Sequence, residues 1–168
     1  RFLLIAAANP CRCGFMTDPA QACGRAPACG RDYMARVSGP LMDRFDLRLE
    51  VPPVSVSDLH TPAGGESSAA VAARVAQARA RQAARYAGTA ARTNADIDGR
   101  HLMEIVALDH EGNDLMQRAA ETLGLTARGY HRVLRVARTI ADLDGAEAVR
   151  RPHLAEALGY RLISARAA

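Results

Sequence analysis

Residues 5–15 read IAAANPCRCGF and residues 38–52 read SGPLMDRFDLRLEVP. Residues 2–8 form a short, continuous apolar run that stops at Asn9-Pro10. That pattern predicts a strand buried on both faces, hence a sheet covered by helices. Residues 45–51, FDLRLEV, alternate: Phe45, Leu47, Leu49 and Val51 on one face, Asp46, Arg48 and Glu50 on the other. They predict a half-buried strand. Between the two lies a loop-like insert, residues 10–30, punctuated by Gly14, Pro19, Gly24, Pro27 and Gly30. It contains all four cysteines, Cys11, Cys13, Cys23 and Cys29.

Outward from this piece the pattern is helical. Residues 31–37 allow two helical turns, and Ser38-Gly39-Pro40 opens a short helix ending near Arg44. Residues 52–65 hold three prolines and two glycines and read as a linker. Residues 66–86 form an alanine- and arginine-rich helix capped by Ser67 or Ser68, in which Arg74, Arg79, Arg81 and Arg85 follow Glu66 with no further acid. Residues 87–98 are a polar connection, followed by a short helical piece over 99–107. Asp109 caps a helix over 110–123 that ends at Gly124, and Thr126 caps the next, 127–143. The latter bears the stripe Tyr130, Val133, Leu134, Ala137, Ile140 and Ala141. Pro152 starts a last helix carrying Leu154, Leu158 and Leu162. The expected class is mainly α with a partial α/β piece, divided as 1–52, a linker 53–65, and 66–168.

The 168 residues carry a net charge of +4, and all 22 basic residues are arginine. Guanidinium forks suit phosphate, but so modest an excess is compatible with a polyanion partner without requiring one. Seven aromatic residues and 35 alanines imply an aliphatic, helix-rich core. The longest apolar run, Phe2 to Ala8, is too short to cross a bilayer, and no secretory segment is present. Four cysteines in that setting indicate a reducing, cytoplasmic location. The abrupt apolar opening suggests a piece of a longer protein.

Four thiolates can close a tetrahedral zinc site. A loop that buries little apolar surface needs such a staple, whose metal supplies on the order of 10 kcal/mol of folding energy. Free structural thiols and a redox pair are the other readings, because the spacing C-x-C, nine residues, C-x5-C departs from paired C-x-x-C. Arg12, Arg25 and Arg31 nearby would favour the thiolates. Asn9 ends the buried strand, where ligands of parallel α/β sheets bind. Arg44 stands at an exposed element end, as do arginines that reach a neighbour's phosphate. Arg128, Arg132 and Arg135 lie at i, i+4 and i+7, with Arg128 in the first helical turn. His131 and His153 read as surface residues. The sequence contains no G-x-x-x-x-G-K-[ST] phosphate loop, so no nucleotide hydrolysis is expected from this chain on its own.

IAAANPCRCGF, SGPLMDRFDLRLEVP, GESSAAVAARV (65–75) and TARGYHRVLRVARTIADLDG (126–145) occur in order along nearly the whole chain. In these segments it resembles the C-terminal portion of the magnesium chelatase-like AAA+ ATPases, in the group of the competence protein ComM (YifB). The resemblance implies the end of an AAA+ core followed by an inserted helix, 66–86, and a helical lid. It implies sensor-1 duty for Asn9, orienting the attacking water. It implies an arginine finger at Arg44, acting in trans, and a sensor-2 contact to the γ-phosphate at Arg128. It further implies ATP with magnesium, held mainly by another segment, a homo-oligomer as a hexameric ring, and DNA branch migration in natural transformation. The cysteine loop corresponds to a family insertion that many relatives close with a second C-x-C pair. Two alternatives remain: the motor subunit of a metal chelatase, and a free-standing zinc-stapled helical module that binds nucleic acid.

Overall fold

The computed structural model describes residues 3–162, apart from 17, 19, 53 and 55–63. The chain divides into two compact units, Arg1–Phe45 with Ser164–Ala168, and Asp46–Ile163. Most of the expected linker lies outside the described residues.

The first unit is mostly turns. Two short helices follow the cysteine loop: α1, Ala28–Met34, and α2, Gly39–Met42. The Ser38 hydroxyl caps α2 by accepting the Leu41 N–H at 3.3 Å, and Pro40 sits where an N–H would have no helical partner.

Among its described residues the second unit contains five helices: α3 Ser68–Arg85, α4 Gly99–Val106, α5 His110–Leu123, α6 Ala127–Leu143 and α7 Arg151–Leu162. Three of their starts are set by the expected caps. Ser67 accepts from Ala70 N–H, Asp109 from Gly112 N–H and Thr126 from Gly129 N–H. Gly124 ends α5 in the left-handed conformation, at φ 58°. The central helix is α6, which packs against α3, α4, α7 and a 3₁₀ turn at Asn94–Asp96. Val133, Leu134, Ala137, Ile140 and Ala141 of its stripe are buried against Leu102, Val106, Met116, Leu154 and Leu158. The helical class expected of this part of the chain is therefore present among the described residues.

The two strands are not. Among the described residues there is no strand; residues 3–8 have no regular secondary structure, and 45–51 none beyond a bend at Asp46. Leu3 and Ile5 are both 85% exposed, and the face Leu47, Leu49, Val51 is exposed as well. A strand exists only through ladder bonds to a neighbour, and neither segment finds one among the described residues. The second segment bonds elsewhere, Phe45 N–H to Met42 O at 3.2 Å and Arg48 N–H to Tyr160 O at 3.1 Å.

Two further expectations are corrected. The arginines of α3 are not a bare basic face. Arg74 pairs with Glu66 through both Nη atoms, at 2.8 and 2.9 Å. Arg81 Nη1 donates to the Asp142 carbonyl at 3.2 Å, and Arg85 to the Asp142 carboxylate. The neutralising acid comes from α6, far along the chain, so it is invisible to a local reading of charge. Nor is His153 a surface residue. It is buried, its Nδ1 accepts the Arg150 N–H at 2.9 Å, and Nε2 lies 3.3 Å from Asp144. In the first turn of α7 the ring does what a capping side chain does.

Candidate functional site

In the first unit the chain turns tightly at Cys11–Gly14, where Gly14 N–H donates to Cys11 O at 3.1 Å. Gly14 takes φ +84°, a conformation open chiefly to glycine. A second turn, Ala26 N–H to Cys23 O at 2.9 Å, leads into α1, which carries Cys29. These turns bring Cys11, Cys13 and Cys29 together, with their Sγ atoms all within 4.8 Å of one another. Cys11 is fully buried, and its Sγ is 3.1 Å from that of Cys13. Cys23 is outside this triple, near enough to act on the acidity of both Cys13 and Cys29.

The crowded sulfurs polarise one another. Cys13 is lowered to about 6, first by Cys11 and then by the backbone N–H groups of Phe15 and Cys23. Cys29 is pushed up to about 12, first by its contact with Cys23 and then by burial. The arginines expected to favour thiolates are not among these causes; Arg25 is instead paired with Asp32. One sequence signal was overlooked. Cys13, Cys23 and Cys29 are each followed by glycine. At Gly30 the need is steric: the residue is buried, and a Cβ there would run into Met16 and lie 3.3 Å from Pro10 O.

Asn9 is exposed and adjoins this turn, its Nδ2 4.0 Å from where a Gly14 Cβ would stand. Arg44 is exposed just past α2, and its Nη1 donates to the Pro40 carbonyl at 2.9 Å. The guanidinium therefore stands at the C-terminal end of a capped helical turn.

Arg128 belongs to the second unit. It is exposed in the first turn of α6, beside the Thr126 cap. The other two arginines of its face are engaged: Arg132 Nη1 is 2.6 Å from Asp46, and Arg135 Nη2 is 3.8 Å from Asp98. Farther along α6 lies a group that periodicity did not single out. Asp142 is fully buried and held by Arg85, by Arg138 Nη2 at 3.0 Å and by Asn94 Nδ2 at 2.9 Å. Asn94 Oδ1 accepts from Tyr86 Oη at 2.8 Å, and Arg138 also donates to the carbonyls of Ala146 and Glu147, each at 2.7 Å. Burial would raise the Asp142 carboxyl, but the hydrogen bonds from Arg85 and Asn94 and the charge of Arg138 hold it below the usual range. This network ties α3 to α6. It builds the lid rather than a reactive site.

No helix among the described residues is long and apolar enough to cross a membrane. Residues 65–161 match the family described as magnesium chelatase, subunit ChlI, C-terminal, and residues 1–59 match magnesium chelatase, subunit ChlI. The chain is 40% identical to competence protein ComM of Haemophilus influenzae over 162 residues, covering 96% of the chain. It is also 40% identical to the YifB proteins of Salmonella typhimurium and Escherichia coli, over 165 and 166 residues and 97% of the chain. It spans 31% of the length of each of these relatives. Matched over most of its length in this order, the chain belongs to the magnesium chelatase ChlI family of AAA+ ATPase-like proteins.

Proposed function

We propose that this chain is the C-terminal portion of a cytoplasmic AAA+ ring ATPase that works on DNA, in a hexamer of the ComM kind. Residues 1–52 complete an α/β core, 53–65 link, and 66–168 form the inserted helix and lid. The observation that carries the reading is Arg44: an exposed guanidinium at the end of a capped helical turn, in the segment matched to ChlI. In this role it reaches the γ-phosphate of ATP and magnesium bound mainly by another segment of the neighbouring subunit. There it stabilises charge that develops during transfer. Asn9 orients the attacking water, and Arg128 contacts the nucleotide from the lid. Exposure of all three side chains supports these roles.

Arg44→Ala in the full-length protein is expected to lower ATP turnover by roughly a thousandfold while nucleotide binding is kept. Loss of binding with normal turnover per bound nucleotide would refute the role. Metal insertion is the second reading of the client, favoured by the ChlI match itself. DNA binding by the intact ring that weakens steeply with salt separates the two. The free-standing nucleic-acid module loses its main support, because Arg81 and Arg85 turn inward to Asp142.

Cys11, Cys13 and Cys29, with Cys23 as fourth ligand, would hold a zinc ion. The Sγ atoms of Cys11, Cys13 and Cys29 all lie within 4.8 Å of one another, the neighbourhood of the edge of about 3.8 Å that a ZnS₄ tetrahedron with 2.3 Å bonds requires. The ion's contribution is to folding of the loop beside Asn9. Metal analysis of purified protein should give about one zinc per chain; stably folded protein without metal would remove the assignment.

A further inference from the structure

Residues 45–51 alternate in character, and their polar face fastens them to two helices. Asp46 lies 2.6 Å from Arg132 Nη1, in the second turn of α6, and Arg48 N–H donates to Tyr160 O of α7 at 3.1 Å. Asp46 and Arg132 are 86 positions apart, so the pair reports the fold and not local sequence. The residues just before this segment are fixed as well. Arg44 N–H donates to Leu41 O at 2.9 Å, Phe45 N–H to Met42 O at 3.2 Å, and Arg44 Nη1 to Pro40 O at 2.9 Å. The turn that carries Arg44 thus ends at Phe45, and the next residue is already bound to α6. Successive Cα atoms are about 3.8 Å apart, so the chain has no slack at this joint.

The ion pair does little to hold the fold. The Asp46 side chain is 57% exposed and that of Arg132 18%, and a pair with so open a member adds little net stability. The bond from Arg48 to Tyr160 fastens the segment without it. What the pair adds is direction, because it sets how the chain leaves α6 toward Arg44. We propose that Asp46 and Arg132 are positioning residues for Arg44: through their pairing, α6 fixes where the Arg44 guanidinium stands during ATP hydrolysis. This rests on the reading of Arg44 given above. A guanidinium that stabilises a transferring phosphate acts only within hydrogen-bond reach, and a displacement of about 1 Å can cost about a hundredfold in rate. Arg128 stands one helical turn before Arg132, so a shift of that end of α6 is passed to Arg44 as well.

The test is steady-state ATP hydrolysis by the full-length protein, with melting temperatures measured alongside. Asp46→Ala and Arg132→Met are each expected to lower kcat about tenfold, with KM for ATP within about twofold of the parent and the melting temperature within about 2 °C. Asp46→Glu keeps the charge and should restore turnover. The double variant Asp46→Ala/Arg132→Met should lose no more than either single one, because the two side chains act as one contact. If Arg44→Ala abolishes turnover while Asp46→Ala stays within about twofold of the parent, this inference fails and the Arg44 reading stands. If Arg44→Ala turns over normally, both fall. Losses that multiply in the double variant, or a kcat that falls only together with the melting temperature, would overturn the positioning role.

Discussion

Replacing Asp142 by asparagine removes the one negative charge that holds two guanidiniums inside the lid. The side chain is fully buried, Arg138 is 1% exposed and Arg85 22%. Breaking a buried pair by deleting one partner costs about 3–5 kcal/mol, because the other charge stays buried without compensation. Two features place this case at the lower end. Asparagine keeps one carbonyl acceptor, and Arg85 remains partly in contact with water. A loss of about 3 kcal/mol, at about 4 °C for each kcal/mol in a domain of this size, lowers the melting temperature by about 12 °C. The assay is thermal unfolding of the chain followed by far-ultraviolet circular dichroism. The pH dependence provides a second reading. The folded pKa of Asp142 is depressed, so its stabilisation is fully present above the ordinary carboxylate value of about 3.9 and is lost as pH falls through the lower folded value. The gap between parent and variant should therefore narrow below about pH 4. Arg85→Met should cost less, since Asp142 keeps Arg138 and Asn94. A melting temperature for Asp142→Asn within about 2 °C of the parent would refute the claim that this network holds the lid together.

Three more outcomes are expected. Ala107 ends α4 at φ 37°, a left-handed conformation that a Cβ disfavours; Ala107→Gly should raise stability by up to about 1 kcal/mol in urea unfolding, and a lower midpoint would count against it. Gly30→Ala should loosen the cysteine loop, since the added carbon meets Met16 and the Pro10 carbonyl; zinc content retained at the parent level after dialysis against a chelator would contradict this. His153→Ala removes the acceptor for the Arg150 N–H and should destabilise by about 1 kcal/mol, read by the same melt.

The helices of the second unit were legible because their signals are local. Ser67, Asp109 and Thr126 each accept an N–H three residues on, and the α6 stripe needs only the 3.6-residue period. The strands were misread for the complementary reason. A run such as residues 2–8 records a preference for burial, whereas strand formation depends on a neighbour that the run does not specify. The Asp142 network escaped because its members come from α3, the 3₁₀ turn and α6, and no period links Arg85, Asn94 and Asp142. The cysteine cluster stands between these cases. Composition suggested ligands, while the turns that gather three of the four sulfurs depend on backbone at Gly14 and packing at Gly30.

A chain whose 22 basic residues are all arginine gives no clue, by type alone, to which of them act on a ligand. Position in the fold sorts them. Arg138 is enclosed and bonded to two carbonyls and a carboxylate, so its replacement would report on folding whatever the protein does. Arg44, Arg74, Arg81, Arg85 and Arg132 each have an acid or carbonyl of this same chain within 3.2 Å, and moving any of them to a phosphate first requires breaking that contact, which for Arg44 is the bond to the Pro40 carbonyl. Arg128 differs in kind. It is exposed at the positive end of the central helix, where backbone N–H groups and the helix dipole favour an incoming anion. Loss of activity on replacing Arg128 therefore carries information about nucleotide contact only if the melting temperature is unchanged, whereas the same loss at Arg85 or Arg138 carries none.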